Sequence, residues 1–152
     1  MENVHFYDVN IKWENDRKGM MSSPVLNSAI EVVTPPEFPK GMPGYWSPEH
    51  LLVGAVNSCL MTTFLAIAEN SKLDFVSFDS KAHGKLEMVD GKFMITEITL
   101  KPQVVIHDDS QMERMERVLQ KSEAACLITN SIKARIIFKP EVVLEPLTLG
   151  VN

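Results

Sequence analysis

The chain has 152 residues, enough for one ordinary domain with a single well-buried core. Hydrophobic residues make up 45% and charged residues 23%, a globular balance that excludes a disordered or fibrous chain. The net charge of −5 and pI near 5.4 oppose a nucleic-acid partner, because phosphates would repel such a surface. Lys133, Arg135 and Lys139 form the strongest basic group, and they read as a solvated strand face.

Residues 5–13 alternate, with Tyr7, Val9, Ile11 and Trp13 on one side, which predicts a half-buried strand. No basic start or signal-length apolar run precedes it, so a cytoplasmic protein is expected. Residues 18–23 and 26–33 are two further short strands, and an antiparallel meander is the simplest arrangement. Residues 34–47 hold Pro35, Pro36, Pro39 and Pro43 together with Gly41 and Gly44, so neither ladder nor helix can run through them. Long irregular loops tend to be functional, and this one carries Phe38, Met42, Tyr45 and Trp46. These four either cover the core or line an apolar substrate pocket.

Ser47-Pro48-Glu49 is a helix start: a Ser N-cap, Pro in the first helical position and an acid facing the dipole. The helix should run to about Asn70. Its apolar residues fall on nearly every side, which predicts a central helix wrapped by sheet or by a partner subunit. Gly54, Asn57, Ser58 and two Thr interrupt the apolar run, so no membrane span is expected.

Residues 74–89 and 93–106 alternate as two long strands joined by an Asp90-Gly91 hairpin turn. Asp109 or Ser110 should cap the next helix, with Ser110 and Glu113 as a capping box. Met112, Met115, Val118 and Leu119 give its apolar stripe. Residues 124–131 suggest a second short helix, and residues 134–144 a last strand. The fold class is α+β: antiparallel sheets around a long buried central helix, in the order βββ-α-ββ-αα-β.

Two cysteines, Cys59 and Cys126, are the candidates for chemistry. From spacing alone they read as two ordinary buried thiols, since free Cys behaves as a small hydrophobe. A mid-helix Cys gains nothing from a helix N-terminus and would need a cation nearby to become a thiolate. The four His are scattered, and no metal-ligand spacing is present, so no metal site is expected.

Ser47-Pro48-Glu49-His50-Leu51-Leu52, followed by Ala55, Asn57, Ser58 and Cys59, resembles the stretch that opens the central helix in the OsmC/Ohr family. Arg17-Lys18-Gly19 is similar to the family's Arg-x-Gly turn. The segment from Ala125 through Cys126 to Ser131 resembles its second-Cys segment, with Leu127 where the family commonly has Pro. The resemblance implies a single OsmC-like domain over residues 1–152 and an intertwined homodimer. It also implies a thiol peroxidase that reduces hydroperoxides, often organic ones. Cys59 would be the peroxidatic thiolate and Cys126 the resolving thiol. Arg17 would be the cation that lowers the Cys59 pKa, and Glu49 the carboxylate that orients Arg17. No cofactor is implied beyond an external dithiol or lipoyl-type reductant. Glu49 lies ten positions before Cys59, about 15 Å along a continuous helix, so Arg17 and Glu49 are expected to serve the Cys59 of a partner chain. Two other readings remain open: a non-enzymatic stress or small-molecule-binding relative with inert thiols, and a hotdog-type thioesterase with Glu49 as base or nucleophile.

Overall fold

A computed structural model describes residues 3–146. The chain divides into two compact units, with the boundary between Leu52 and Val53.

The first unit is a three-stranded antiparallel sheet in the order β1 (Asn10–Asn15), β2 (Lys18–Ser22), β3 (Ile30–Val33). The β1–β2 turn places Asp16 at φ 46°, and the Trp13 indole N–H donates to the Asp16 carbonyl at 3.0 Å. Gly19 sits opposite Trp13, where a Cβ would come within 3.0 Å of the Lys12 carbonyl oxygen. Every residue of β1 is exposed, and Tyr7 (88%), Ile11 (65%) and Trp13 (72%) are uncovered. The strand expected over residues 5–13 therefore begins only at Asn10, leaving Tyr7 and Val9 outside it, and it is exposed rather than half-buried because nothing within the first unit covers it.

Residues 34–47 form the expected irregular loop. It leaves the sheet edge at Val33 and returns beside it, with Trp46 bridging Val32 and the Val33 N–H donating to the Trp46 carbonyl at 2.9 Å. Inside the loop the Met42 N–H closes on the Thr34 carbonyl at 2.9 Å. Gly41 is packed so tightly against Pro35 that a Cβ would lie 2.0 Å from its carbonyl oxygen. Ser47 is fully buried and caps α1 (Pro48–Asn70), accepting from the His50 N–H at 3.2 Å.

In the second unit α1 continues beside β4 (Ser77–Val89) and β5 (Lys92–Ile106), which pair antiparallel along their length. The β4–β5 turn is Asp90-Gly91, both at positive φ, as a two-residue hairpin of this hand requires. By length and composition alone α1 could cross a membrane. Here Val56, Leu60, Phe64 and Ala68, four residues apart, are buried along one face. They pack into two clusters, one with Ile98 and Leu100, the other with Val104, Ile106, Met115 and Leu119. Met61 and Leu65 are 40% and 41% exposed, so the sheet of this chain covers α1 on one face and leaves another uncovered. Close approach of α1 to β4 depends on Gly84, where a Cβ would lie 2.5 Å from Val53 Cγ2.

Asp108, rather than Asp109 or Ser110, caps the second helical stretch. Its carboxylate accepts from the Ser110 N–H at 2.9 Å and the Ser110 hydroxyl at 2.7 Å, opening a 3-10 turn that leads into α2 (Met112–Ala124). The predicted stripe is correct, with Met115, Val118 and Leu119 buried. The short helix expected over residues 124–131 is only a 3-10 turn at Thr129–Ser131. The last strand is split into β6 (Arg135–Phe138) and β7 (Glu141–Leu144) at Pro140, which has no N–H for the ladder. Both halves pair with β5, and both run parallel to it, so this sheet is mixed and not antiparallel throughout. A parallel partner needs a crossover from one end of the sheet to the other, and α2 supplies it.

Candidate functional site

Both cysteines belong to the second unit, and the structure brings them together. Cys59 lies on α1 between the buried Val56 and Leu60, and is 8% exposed. Cys126 follows the end of α2 and is 1% exposed. The turn that carries it is fixed by its backbone: the Cys126 N–H donates to the Glu123 carbonyl at 3.3 Å, and the Asn130 N–H to the Cys126 carbonyl at 3.1 Å. Ile128 anchors the turn by packing against the cluster that contains Val56 and Leu60. The thiols are free and neighbours close enough for each to shift the other.

Burial pushes both thiols up, but the two come out differently. For Cys59, hydrogen bonds from the Ile128 N–H, the Cys126 thiol, the Thr63 hydroxyl and the Leu127 N–H outweigh burial and bring the thiol below its ordinary value. Thr63 is one helical turn on, with its oxygen 3.9 Å from the sulfur. For Cys126, burial dominates over the hydroxyl and N–H of Thr129, and the neighbouring Cys59 adds to it, so this thiol lies above its ordinary value. The Thr129 oxygen is buried against the Cys126 sulfur and has no conventional hydrogen-bond partner. Of the two thiols, Cys59 is thus the one that ionises at lower pH.

None of the groups that lower Cys59 is a cation, which the sequence had made the requirement. Thr63, Thr129 and the Leu127 and Ile128 amides were missed. Thr63 was within reach of sequence reasoning, since positions four apart share a helix face. The amides were not, because backbone direction in an irregular turn leaves no compositional mark.

The other predicted residues lie in the first unit. Arg17, Glu49 and Phe38 line one open cleft of about 950 Å³, together with Trp13, Lys18, Thr34 and Pro48. The Arg17 side chain is exposed and without a partner among the described residues, while its carbonyl accepts from the Thr34 N–H at 3.2 Å. One carboxylate oxygen of Glu49 is buried and lacks a donor. The cleft thus holds the Arg17 guanidinium and a carboxylate with one oxygen lacking a donor, and no ion pair between them is present among the described residues. Met42 lines a second recess of about 410 Å³ with Asp16, Arg17 and Lys40. Tyr45 and Trp46 line neither: the Lys18 ammonium lies 5.4 Å above the Tyr45 ring, and Trp46 meets His50 edge-on at 6.4 Å.

The family model for OsmC-like protein matches residues 41–141. The chain is 28% identical over 144 residues to the uncharacterized protein YmaD of Bacillus subtilis, covering 90% of this chain and 91% of that one. An OsmC-like protein of Vibrio cholerae superposes with a TM-score of 0.81 at 23% identity, over 90% of this chain and 99% of that one. An organic hydroperoxide resistance protein of Elizabethkingia anophelis superposes with a TM-score of 0.75 at 18% identity, over 95% of this chain and 100% of that one.

Proposed function

The chain belongs to the OsmC-like protein family, and from that premise we propose that it is a cysteine-based hydroperoxide reductase. A redox or stress-linked role fits the family, whose solved structures include proteins named for organic hydroperoxide resistance. The observation that carries the finer reading is the opposed displacement of two thiols in contact, Cys59 downward and Cys126 upward. In the first step the Cys59 thiolate attacks the distal peroxide oxygen. The O–O bond breaks, the alcohol leaves with a proton from solvent, and Cys59 becomes a sulfenic acid. The Cys126 thiol then attacks that sulfur, releasing water and forming the Cys59–Cys126 disulfide. An external dithiol reduces the bridge by two exchange steps and is itself oxidised to a disulfide.

The same proposal includes a homodimer. The uncovered face of β1 and the exposed Met61 and Leu65 of α1 are apolar surfaces of the kind that a second copy would cover. Arg17 and Glu49 would then pair and reach the partner's thiol, and the cleft with Phe38 would admit an apolar hydroperoxide. The deep burial of both thiols favours a second reading, in which they are inert and the protein is a non-enzymatic relative.

A peroxide-consumption assay decides between the two. With dihydrolipoamide or dithiothreitol as reductant, the protein should consume cumene hydroperoxide faster than hydrogen peroxide. Cys59→Ser should abolish turnover. If wild-type protein with two titratable thiols consumes neither peroxide, the inert-thiol reading holds.

A further inference from the structure

We propose that Thr63 is a positioning residue for the Cys59 sulfur: its hydroxyl accepts from the thiol and turns to donate once the thiolate forms. The inference rests on Cys59 being the nucleophile of the reading above. It begins with an accounting of the hydroxyls of α1. The helix carries three, on Ser58, Thr62 and Thr63. A hydroxyl in a helix ordinarily bonds back to a carbonyl of the preceding turn. Ser58 does so, donating to the Ala55 carbonyl at 3.2 Å, and Thr62 does so, donating to the Cys59 carbonyl at 3.2 Å. Thr63 departs from that pattern. Its oxygen lies 3.9 Å from the Cys59 sulfur in hydrogen-bond geometry, so alone of the three it meets a side chain.

The helix itself sets this pair. Residues four apart share a face, which brings the Thr63 side chain beside that of Cys59. Thr is branched at Cβ, so its hydroxyl has few directions open to it on a helix. The other acceptor within its reach is the Cys59 carbonyl, which already takes the Thr62 hydroxyl. The contact is made at a sulfur only 8% exposed, where a hydrogen bond to a charge is stronger than in water. A hydroxyl is both donor and acceptor. It therefore partners the S–H of Cys59 in one state and its S⁻ in the other, which neither an N–H nor a cation does. The bond to the thiolate is the stronger of the two, and Thr63 is among the groups that bring Cys59 below its ordinary value. Because both residues lie on α1, the contact belongs to one chain and does not depend on where the Cys126 turn goes when the bridge forms.

The test is Thr63→Val, which keeps the branched shape and removes the hydroxyl, set against Thr63→Ser, which keeps the hydroxyl. Both are made with Cys126→Ser, so that one thiol titrates, and thiolate absorbance is read against pH. Thr63→Val should move the Cys59 titration to higher pH and cut the thiolate present below its midpoint by about threefold, as loss of one hydrogen bond does. Thr63→Ser should restore the parent curve. A folded Thr63→Val protein with the parent titration overturns the proposal, and so does a Thr63→Ser protein that titrates like Thr63→Val. If Thr63→Val does not fold, the Thr63 β-carbon resonance is followed through the titration of the Cys126→Ser protein. It should move with Cys59 ionisation, and a resonance that stays fixed overturns the proposal equally. Absence of peroxide turnover in wild-type protein would sink the peroxidase reading, while the titration would still judge the role of Thr63.

Discussion

Cys59 and Cys126 are neighbouring free thiols displaced in opposite directions, Cys59 below its ordinary value and Cys126, chiefly by burial, above it, so the two titrate as a linked pair. Alkylation requires thiolate, and a thiol below its ordinary value presents thiolate at lower pH. Iodoacetamide should therefore label Cys59 first as pH rises, with Cys126 following only above the ordinary thiol range. In Cys59→Ser, Cys126 loses a neighbour that raises it, and its labelling should move to lower pH. Peptide mapping of labelled protein across a pH series gives both curves. Equal labelling at every pH would contradict the linkage.

The resolving role predicts a distinct fate for each variant under peroxide. Wild-type protein should lose both free thiols and gain an intramolecular disulfide. Cys126→Ser should stop at a sulfenic acid on Cys59 that dimedone traps. Cys59→Ser should leave Cys126 reduced. Intact mass measurement separates the three, and a dimedone adduct on Cys126 would reverse the assignment.

Partner-chain activation has its own signature. Arg17→Ala and Cys59→Ser should each be nearly inactive alone. Mixed dimers formed by refolding the two together should recover roughly a quarter of wild-type activity, because random association gives half mixed dimers with one complete site each. That site would join Cys59 of the first variant to Arg17 of the second. No recovery in verified mixed dimers would place Arg17 in its own chain's site.

Packing of α1 on β4 is tested at Gly84. A Cβ there meets Val53 Cγ2 at 2.5 Å, and valine is stiff at its first torsion, so relief requires backbone movement. Gly84→Ala should cost about 1–3 kcal/mol, outweighing the propensity gain of replacing a strand glycine. Denaturant unfolding of Gly84→Ala with Val53→Ala should recover part of that loss relative to Val53→Ala alone.

At the other end of the same helix, Ser47→Ala should cost about 1 kcal/mol by leaving the His50 N–H without its cap. Thr at the position should retain most of the stability, which thermal unfolding would measure.

Local chemistry in the sequence determined what depends on near neighbours. Ser47-Pro48-Glu49 set the start of α1, Asp90-Gly91 the hairpin between β4 and β5, and the prolines of residues 34–47 the interruption between sheet and helix. The resemblance of two separated segments singled out Cys59 and Cys126, whose meeting in space no spacing rule could have established. Tertiary structure alone decided the rest. Strand direction was undecided because alternation is the same in parallel and antiparallel pairs, so β6 and β7 were read as antiparallel to β5 when they are parallel. How far α1 is covered within one chain was not legible, because composition gives the capacity of a face to be covered and not the surface that covers it. The activation of Cys59 was sought in a cation because side chains are what a sequence displays. Two of the four groups that lower it are backbone amides, and every residue but proline carries one, so only the path of the chain through the Cys126 turn could bring them into play.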